Sequence, residues 1–371
     1  MLKILHTADI HLGARFSGLG NKGALQREQL LVTFKSVIAT AINEKADIVL
    51  IAGDLFDSNQ QPQKNMDLVI EQFNLLESSN IPVCLIPGTH DSLDASSIYR
   101  KVDFEGKCPN LKIFTDENMS WKEYPRLDLT VYGKPNLSNR SSVSPLKGLR
   151  RSTSTKFHIG MAHGSLHIPE KIAEDDHVFR LEEVQSSGMD YLALGHWHRV
   201  YKCPTESAAW YPGPPEWIPG QTERGVVLLV NLSPAGEVEV QPRRLGLRDY
   251  TEAEIDMSEI EDLAMLKSRI SQGAGENLIA KVTLKGLRDA EFILNPEELE
   301  LELGEKFFHI SVTDRSHPKS REVTEGEERL IVSRFIRLMK EQIEGLEGEE
   351  KDIAENALQY GIALLDGKEV L

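Results

Sequence analysis

Along the first 245 residues, short runs of Val, Ile and Leu alternate with longer segments whose apolar residues recur at helical spacing. Run length and flanking Gly, Pro and polar breakers predict strands at 3–7, 48–52, 82–87, 127–132, 157–162, 191–194 and 226–232. Between the first three, "ALQREQLLVTFKSVIATAINEKA" puts Leu30, Phe34, Val37, Ile38, Ala41 and Ile42 on one face. "NMDLVIEQFNLLESS" does the same with Met66, Val69, Ile70, Phe73 and Leu76. Each pattern predicts an amphipathic helix. Strand, helix, strand, helix, strand predicts an α/β fold of mixed sheet layers flanked by helices.

After residue 249 the pattern changes. A helix at 259–271 and strands at 278–284 and 307–313 predict a small α+β capping domain over 250–320. The segment 321–371 reads as a helical pair, 327–346 and 350–365, the first with a stripe of Leu330, Ile331, Phe335, Leu338, Met339 and Ile343. That stripe has two explanations: it packs on the small domain, or it docks onto a partner.

Composition narrows the class. The 371 residues are 40% hydrophobic and 27% charged, as in a soluble globular protein. The longest apolar runs, 48–52 and 226–230, fall far short of the roughly 20 residues of a membrane span, and no signal-peptide pattern follows Met1. A cytoplasmic protein without a membrane partner is expected. Three cysteines without a CxxC pair argue against a disulfide framework and a structural zinc site; Cys84, inside an apolar strand, reads as core. "GLGNKG", 18–23, lacks Walker A spacing and reads as a loop. Of the net charge of −16, −14 falls on residues 249–371, leaving −2 for residues 1–248. The acidity therefore weighs little against a polyanionic partner at the front of the chain.

The polar clusters that end the strands carry the chemistry. They are "TADIHLG" with Asp9 and His11, "AGDLFD" with Asp54, "PGTHDS" with Thr89, His90 and Asp91, "MAHGSL" with His163, and "LGHWHR" with His196 and His198. Ligands bind beyond the carboxyl ends of strands in α/β sheets, so the clusters are expected to converge on one edge. One His after a strand is an ordinary loop residue; five clusters in this order form a site. Imidazoles and carboxylates without thiolates suit manganese, iron or zinc, and so many donors suit two ions sharing a carboxylate, the arrangement that clamps attacking and leaving oxygens in phosphoryl transfer.

The ordered set Asp-x-His, Gly-Asp-x-x-Asp, Gly-x-His-Asp, Ala-His-Gly and Gly-His-x-His resembles the calcineurin-like metallophosphoesterases. Within them, "ILHTADIHLG", "IAGDLFD", "YLALGHWHRV" and "AWYPGPPEW" are similar to the SbcD and YhaO-type nuclease subunits of double-strand-break repair. The resemblance covers residues 1 to about 245. It implies that Asp9, His11 and His198 hold one metal, that Asp54 bridges, and that His163 and His196 hold the second. His90 would meet the scissile phosphate or leaving oxygen, with Asp91 orienting its ring. Thr89 stands where the family has a metal-ligating Asn, so the second site is expected to bind metal less tightly, to use a water in place of the missing oxygen, or to stay empty in dilute metal. The implied cofactors are two divalent ions, manganese first, with iron, zinc or magnesium as substitutes. The implied partners are DNA and an SMC-like coiled-coil ATPase of the SbcC or YhaN type; a second copy of the chain is a further candidate that the sequence leaves open.

Basic segments at 147–156 and 243–248, with Arg199 and Lys202 beside the last His pair, are candidate DNA contacts. Trp197, Trp210, Tyr211 and Trp217 are set either to stack on bases or to pack on one another. The expected activity is a metal-dependent DNA phosphodiesterase, exonuclease and endonuclease. Two other readings stand beside it: a phosphoesterase for small molecules or phosphoproteins, and a weakly active or non-catalytic DNA-binding subunit disabled at Thr89.

Overall fold

The computed structural model describes residues 1–289, 292–319, 330–365 and 367, in two compact units, Met1–Asp249 and Tyr250–Leu371. Unit one is built on two six-stranded sheets. In chain order the first contains β1 (Leu2–Thr7), β2 (Ile48–Ala52), β3 (Val83–Ile86), β4 (Leu111–Ile113), β11 (Val226–Leu232) and β12 (Val238–Arg244). The second contains β5 (Ser120–Tyr124), β6 (Leu129–Gly133), β7 (Phe157–His163), β8 (Tyr191–Gly195), β9 (Tyr201–Lys202) and β10 (Ala209–Tyr211). Strands β1 to β4 run parallel, as do β6, β7 and β8, so their carboxyl ends lie at one edge of each sheet.

Side chains alternate across a strand, and the strands use both faces. Ile4, Leu50, Ile86 and Val230 point toward the other sheet and share a core with Ile159, Met161 and Ala193. The alternate set, Leu5, Val49, Ile51 and Leu85, is equally buried. It faces the side on which α1 (Gly23–Asn43) and α2 (Gln63–Ser78) bury Leu30, Phe34, Val37, Val69 and Phe73. Burial on both faces explains why these strands read as continuous apolar runs rather than alternating ones. A polar tie crosses the layers: the His6 ring lies 2.9 Å from the Tyr191 hydroxyl at Nδ1 and 3.2 Å from the Leu194 carbonyl at Nε2. Burial pushes this imidazole down to about 3, so it is neutral, with Nε2–H donating and Nδ1 accepting.

Two one-turn helices, α3 (Ile98–Lys101) and α4 (Phe104–Lys107), link β3 to β4, and α5 (Leu181–Ser186) contributes Val184 to a core on the outer side of the second sheet. All three cysteines are free and buried.

Unit two holds a three-stranded sheet of β13 (Asp249–Asp256), β14 (Leu278–Lys285) and β16 (His309–Asp314), a two-stranded pair of β15 (Leu287–Arg288) and β17 (His317–Pro318), and helices α6 (Leu263–Ser271) and α7 (Pro296–Leu303). The predicted helix 259–271 starts only at Leu263, because the Asp262 side chain caps it by accepting from the Met265 amide. The C-terminal pair is α8 (Leu330–Ile343) and α9 (Glu349–Leu365); residues 327–329 of the predicted helix lie outside the described residues. The Phe335 ring packs on Gly361, and Tyr360 and Ala363 pack with Leu287 of the small sheet. Ile331 and Ile353 remain exposed.

Candidate metal centre

The loops after β1 and β2 continue the parallel ladder beyond the strands: Asp9 N–H donates to Gly53 O (3.1 Å), His11 N–H to Asp54 O (3.0 Å) and Leu12 N–H to Leu55 O (3.0 Å). This fixes Asp9, His11 and Asp54 side by side. The chain reaches these positions by left-handed backbone turns, with φ of +53° at Asp9, +51° at His11, +50° at Asp54 and +104° at His196. Such angles cost roughly 1–3 kcal/mol at a non-glycine residue and persist where the surroundings over-determine them. Gly53, at φ +92°, has no room for a side chain because the His163 ring packs on it, and Gly88 meets the Asp54 carboxylate in the same way.

Three groups of donors result among the described residues: a rim group of His11, Asp57 and His90, and two groups deeper in the pocket. Asp9, His11 and His198 offer ligand atoms within 4.8 Å of one another, and so do Asp54, His163 and His196. Asp54 Oδ2 stands between the groups, 3.2 Å from His163 Nε2 and 3.8 Å from His11 Nε2. His163 Nδ1 lies 2.9 Å from the Ala52 carbonyl, which accepts its proton and leaves Nε2 for Asp54 or a cation. His11 Nδ1 is held at 3.2 Å by the Asp57 carboxylate. Its Nε2 is buried and has no hydrogen-bond partner. A buried ring nitrogen without a partner is costly, and a metal ion is the partner this donor set lacks.

The electrostatics agree. Burial would raise the Asp54 carboxyl, yet the imidazoles of His163, His11 and His90 hold it well below the usual carboxylate range. Burial would lower the His163 ring, but the Asp54 and Asp9 carboxylates draw a proton onto it and raise it to about 9. The buried carboxylates thus draw positive charge into the pocket, as a proton on His163 here, and a divalent cation would supply that charge in the proton's place.

The sequence-predicted residues divide. Asp9, His11, Asp54, His163, His196 and His198 come together. Thr89 joins them: its hydroxyl donates to Asp54 Oδ2 at 3.2 Å and lies 3.5 Å from His163 Nε2, so it points into the second group. His90 sits at the rim, its side chain half exposed and its ring edge-on to His11 with centroids 4.6 Å apart. The expectation that Asp91 orients the His90 ring is corrected. The fully buried Asp91 carboxylate accepts from Gly88 N–H (2.7 Å), Phe56 N–H (3.1 Å) and Tyr99 O–H (2.5 Å), binding two loops together beneath the site. His90 instead has Nδ1 3.2 Å from the Asp57 carbonyl and 3.8 Å from its carboxylate.

Tyr211 is corrected likewise. It is fully buried, stacked on Trp197 at 4.9 Å and 13°, with its hydroxyl donating to Gly164 O at 2.8 Å, so no base reaches its ring. Arg199 is exposed, its guanidinium 5.1 Å from the Trp197 ring and 5.0 Å from the Tyr201 ring, and Lys202 is exposed on the edge strand β9. Within the other basic segments, Arg151 pairs with Asp190, Arg243 with Glu44 and Arg244 with Asp249, while Arg248 is buried.

Sequence reasoning left two site residues without a role. Asp57 ends the quoted "AGDLFD", where its neighbour Asp54 drew attention. Asp176 lies 3.2 Å from His196 Nε2 through both carboxylate oxygens, and Ser165 donates to it at 2.6 Å. Burial would raise this carboxyl, but the bonds from His196 and Ser165 hold it at about 2. Its only sequence signal was a position in an acidic run, "EDDH", far from any strand end.

The family model for calcineurin-like phosphoesterases matches residues 2–200. The chain belongs to this family. Calcineurin-like phosphoesterases are metal-dependent hydrolases with two divalent ions, and the candidate donor groups lie at strand ends within the matched region. Among relatives, the uncharacterised metallophosphoesterase YhaO of Bacillus subtilis is 28% identical over 297 residues, 77% of this chain and 69% of that protein. The DNA double-strand break repair protein Mre11 of Saccharolobus solfataricus is 30% identical over 207 residues, 54% of this chain and 51% of that protein. The chain thus spans about half the length of this second relative. Among solved structures, a dimetal phosphatase from Danio rerio matches with a TM-score of 0.39 and 13% identity, over 66% of this chain and 96% of that one. No helix among the described residues is long and apolar enough to cross a membrane.

Proposed function

We propose that the chain is a metal-dependent phosphodiesterase acting on DNA, an exonuclease with endonuclease activity, that works in double-strand-break repair with a separate SMC-like coiled-coil ATPase. The observation that carries the phosphodiesterase reading is the buried, unpartnered His11 Nε2 facing Asp54 between two donor groups. DNA as substrate is supported by the Mre11 relatives, which are DNA double-strand break repair proteins.

Bound divalent cations, manganese first, supply a nucleophile from water at neutral pH and neutralise phosphate charge. Asp9, His11 and His198 would hold one; His163, His196 and the Thr89 hydroxyl would hold the other, with Asp54 available to both. His90 donates Nδ1–H to the Asp57 carbonyl, which leaves Nε2 at the open rim to give a proton to the leaving oxygen. Arg199, held between Trp197 and Tyr201, offers a fixed positive charge to the phosphodiester backbone. The exposed Ile331 and Ile353 of α8 and α9 offer the ATPase a docking face.

The test is end-labelled linear duplex and single-stranded DNA incubated with the full chain in Mn²⁺, beside bis(4-nitrophenyl) phosphate and a phosphopeptide. Cleavage of DNA that disappears in Asp54→Asn supports the proposal. Hydrolysis of the small esters or the phosphopeptide with DNA left intact contradicts it. A second reading, a subunit with little activity of its own, rests on the Thr89 hydroxyl at the second group. It predicts a slow wild-type enzyme that Thr89→Asn accelerates.

A further inference from the structure

Outside the nine motif residues, one charged side chain among the described residues touches a ligand candidate from a loop that belongs to no strand end. Asp176 places both oxygens 3.2 Å from His196 Nε2. Its own position is fixed from two sides. Ser165 donates to Oδ2 at 2.6 Å and accepts from Trp197 Nε1 at 3.1 Å, so the chain of bonds starts at the residue next to His196 and returns to His196. The backbone on either side is pinned as well: Ser141 N–H donates to Asp175 O (2.7 Å), His177 N–H to Ser141 O (3.0 Å) and Phe179 N–H to Ser165 O (3.0 Å). The His196 amide, in turn, is held at 3.0 Å by both oxygens of Asp9. Backbone and ring of His196 are therefore anchored to different carboxylates, and a ring bonded at Nε2 has only Nδ1 left for a cation.

We infer that Asp176 is the positioning residue of the second cation: it holds the His196 ring at Nε2, leaves Nδ1 to the ion, and so sets the affinity of the Asp54, His163 and His196 group without ligating the ion itself. The inference rests on the two-cation reading above. Asp176 stays outside the ligand set, since the groups whose donor atoms all lie within 4.8 Å do not include it. Its importance here exceeds that of an ordinary outer carboxylate, because the neighbouring position carries Thr89, whose hydroxyl is a weak neutral donor. The second ion then depends on two imidazoles and Asp54, and the orientation of one imidazole depends on Asp176.

The experiment is a calorimetric Mn²⁺ titration of the metal-free full chain. Wild type binds two ions. Asp176→Asn leaves the first step within about twofold and weakens the second about 10–100-fold, the range for loss of a partner behind a ligating histidine. The metal-free protein still melts in one cooperative transition, slightly below wild type for the lost charge-assisted bonds, and Asp176→Asn added to His196→Gln weakens the second step no further, as expected if Asp176 acts on the ion only through that ring. Should Asp176→Asn fail to fold, Ser165→Ala removes the other partner of Asp176 and weakens the second step about threefold to tenfold. An unchanged second step in a folded variant, equal weakening of both steps, or additivity with His196→Gln overturns the inference while leaving two cations in place. Fewer than two ions in wild type overturns the two-cation reading, and the inference with it.

Discussion

The two corners of the site share Asp54 and otherwise differ in construction. The first, Asp9, His11 and His198, takes two donors from one short loop that is laced to its neighbour by three backbone hydrogen bonds, with Asp57 behind His11. The second, Asp54, His163 and His196, takes each donor from a different strand end, contains the Thr89 hydroxyl, and has His196 steadied by the remote Asp176. A site laced into a parallel ladder is preformed by the fold; one assembled from separate chain ends depends on whatever steadies each donor. The first corner should therefore bind its cation more tightly than the second, and catalysis needing both should be limited by the second.

The largest effect breaks the comparison by removing what the corners share. Asp54→Asn takes a bridging charge from both, and DNA cleavage should fall at least about 10³-fold, with neither cation step retained at wild-type affinity in calorimetry. Next, His90→Gln separates chemistry from binding. The maximal cleavage rate should drop about 10²-fold, the lower range for loss of a general acid, while both cation affinities and the melting temperature stay put. Thr89→Asn sharpens the asymmetry directly: a carbonyl in place of the hydroxyl should tighten the second step about tenfold and raise the rate severalfold at limiting Mn²⁺, with the first step unmoved. The smallest effect lies beneath both corners. Tyr99→Phe removes one hydrogen bond to the buried Asp91, and should cost about 1 kcal/mol in urea unfolding with no change in either cation affinity.

The same contrast marks how far the sequence could be read. Ligand candidates directly after apolar strands were legible because strand ends are legible: β2 and β11 fall on the predicted residues, and β1, β7 and β8 within a residue or two. Strands with little apolar content were invisible. β12, "VEVQPRR", alternates only through Val238 and Val240 before turning polar and exposed, and β13, "DYTEAEID", carries four exposed residues in a row, so neither sustains a period of two. The layers themselves are mixed and flanked by helices, as the order of elements implies, but how the strands divide between two sheets is a long-range property that local pattern does not encode. Asp176 escaped notice because its partner is twenty residues away and its loop has no period. Tyr211 was left open for the opposite reason: an aromatic near a basic residue can be a stacking platform or a core ring, and the packing against Trp197 shows only when the fold brings the rings together. Asp91, adjacent to His90 in sequence, faces away from it because consecutive residues in a tight loop point to different sides.

The central claim, two cations at the carboxyl ends of the strands, is tested most directly by anomalous diffraction from crystals of the full chain grown with Mn²⁺. The account predicts two peaks per chain, one among Asp9, His11 and His198 and one among Asp54, His163 and His196, the second losing occupancy first as Mn²⁺ is diluted. A single peak at saturating Mn²⁺, or a peak held instead by His11, Asp57 and His90, would contradict it.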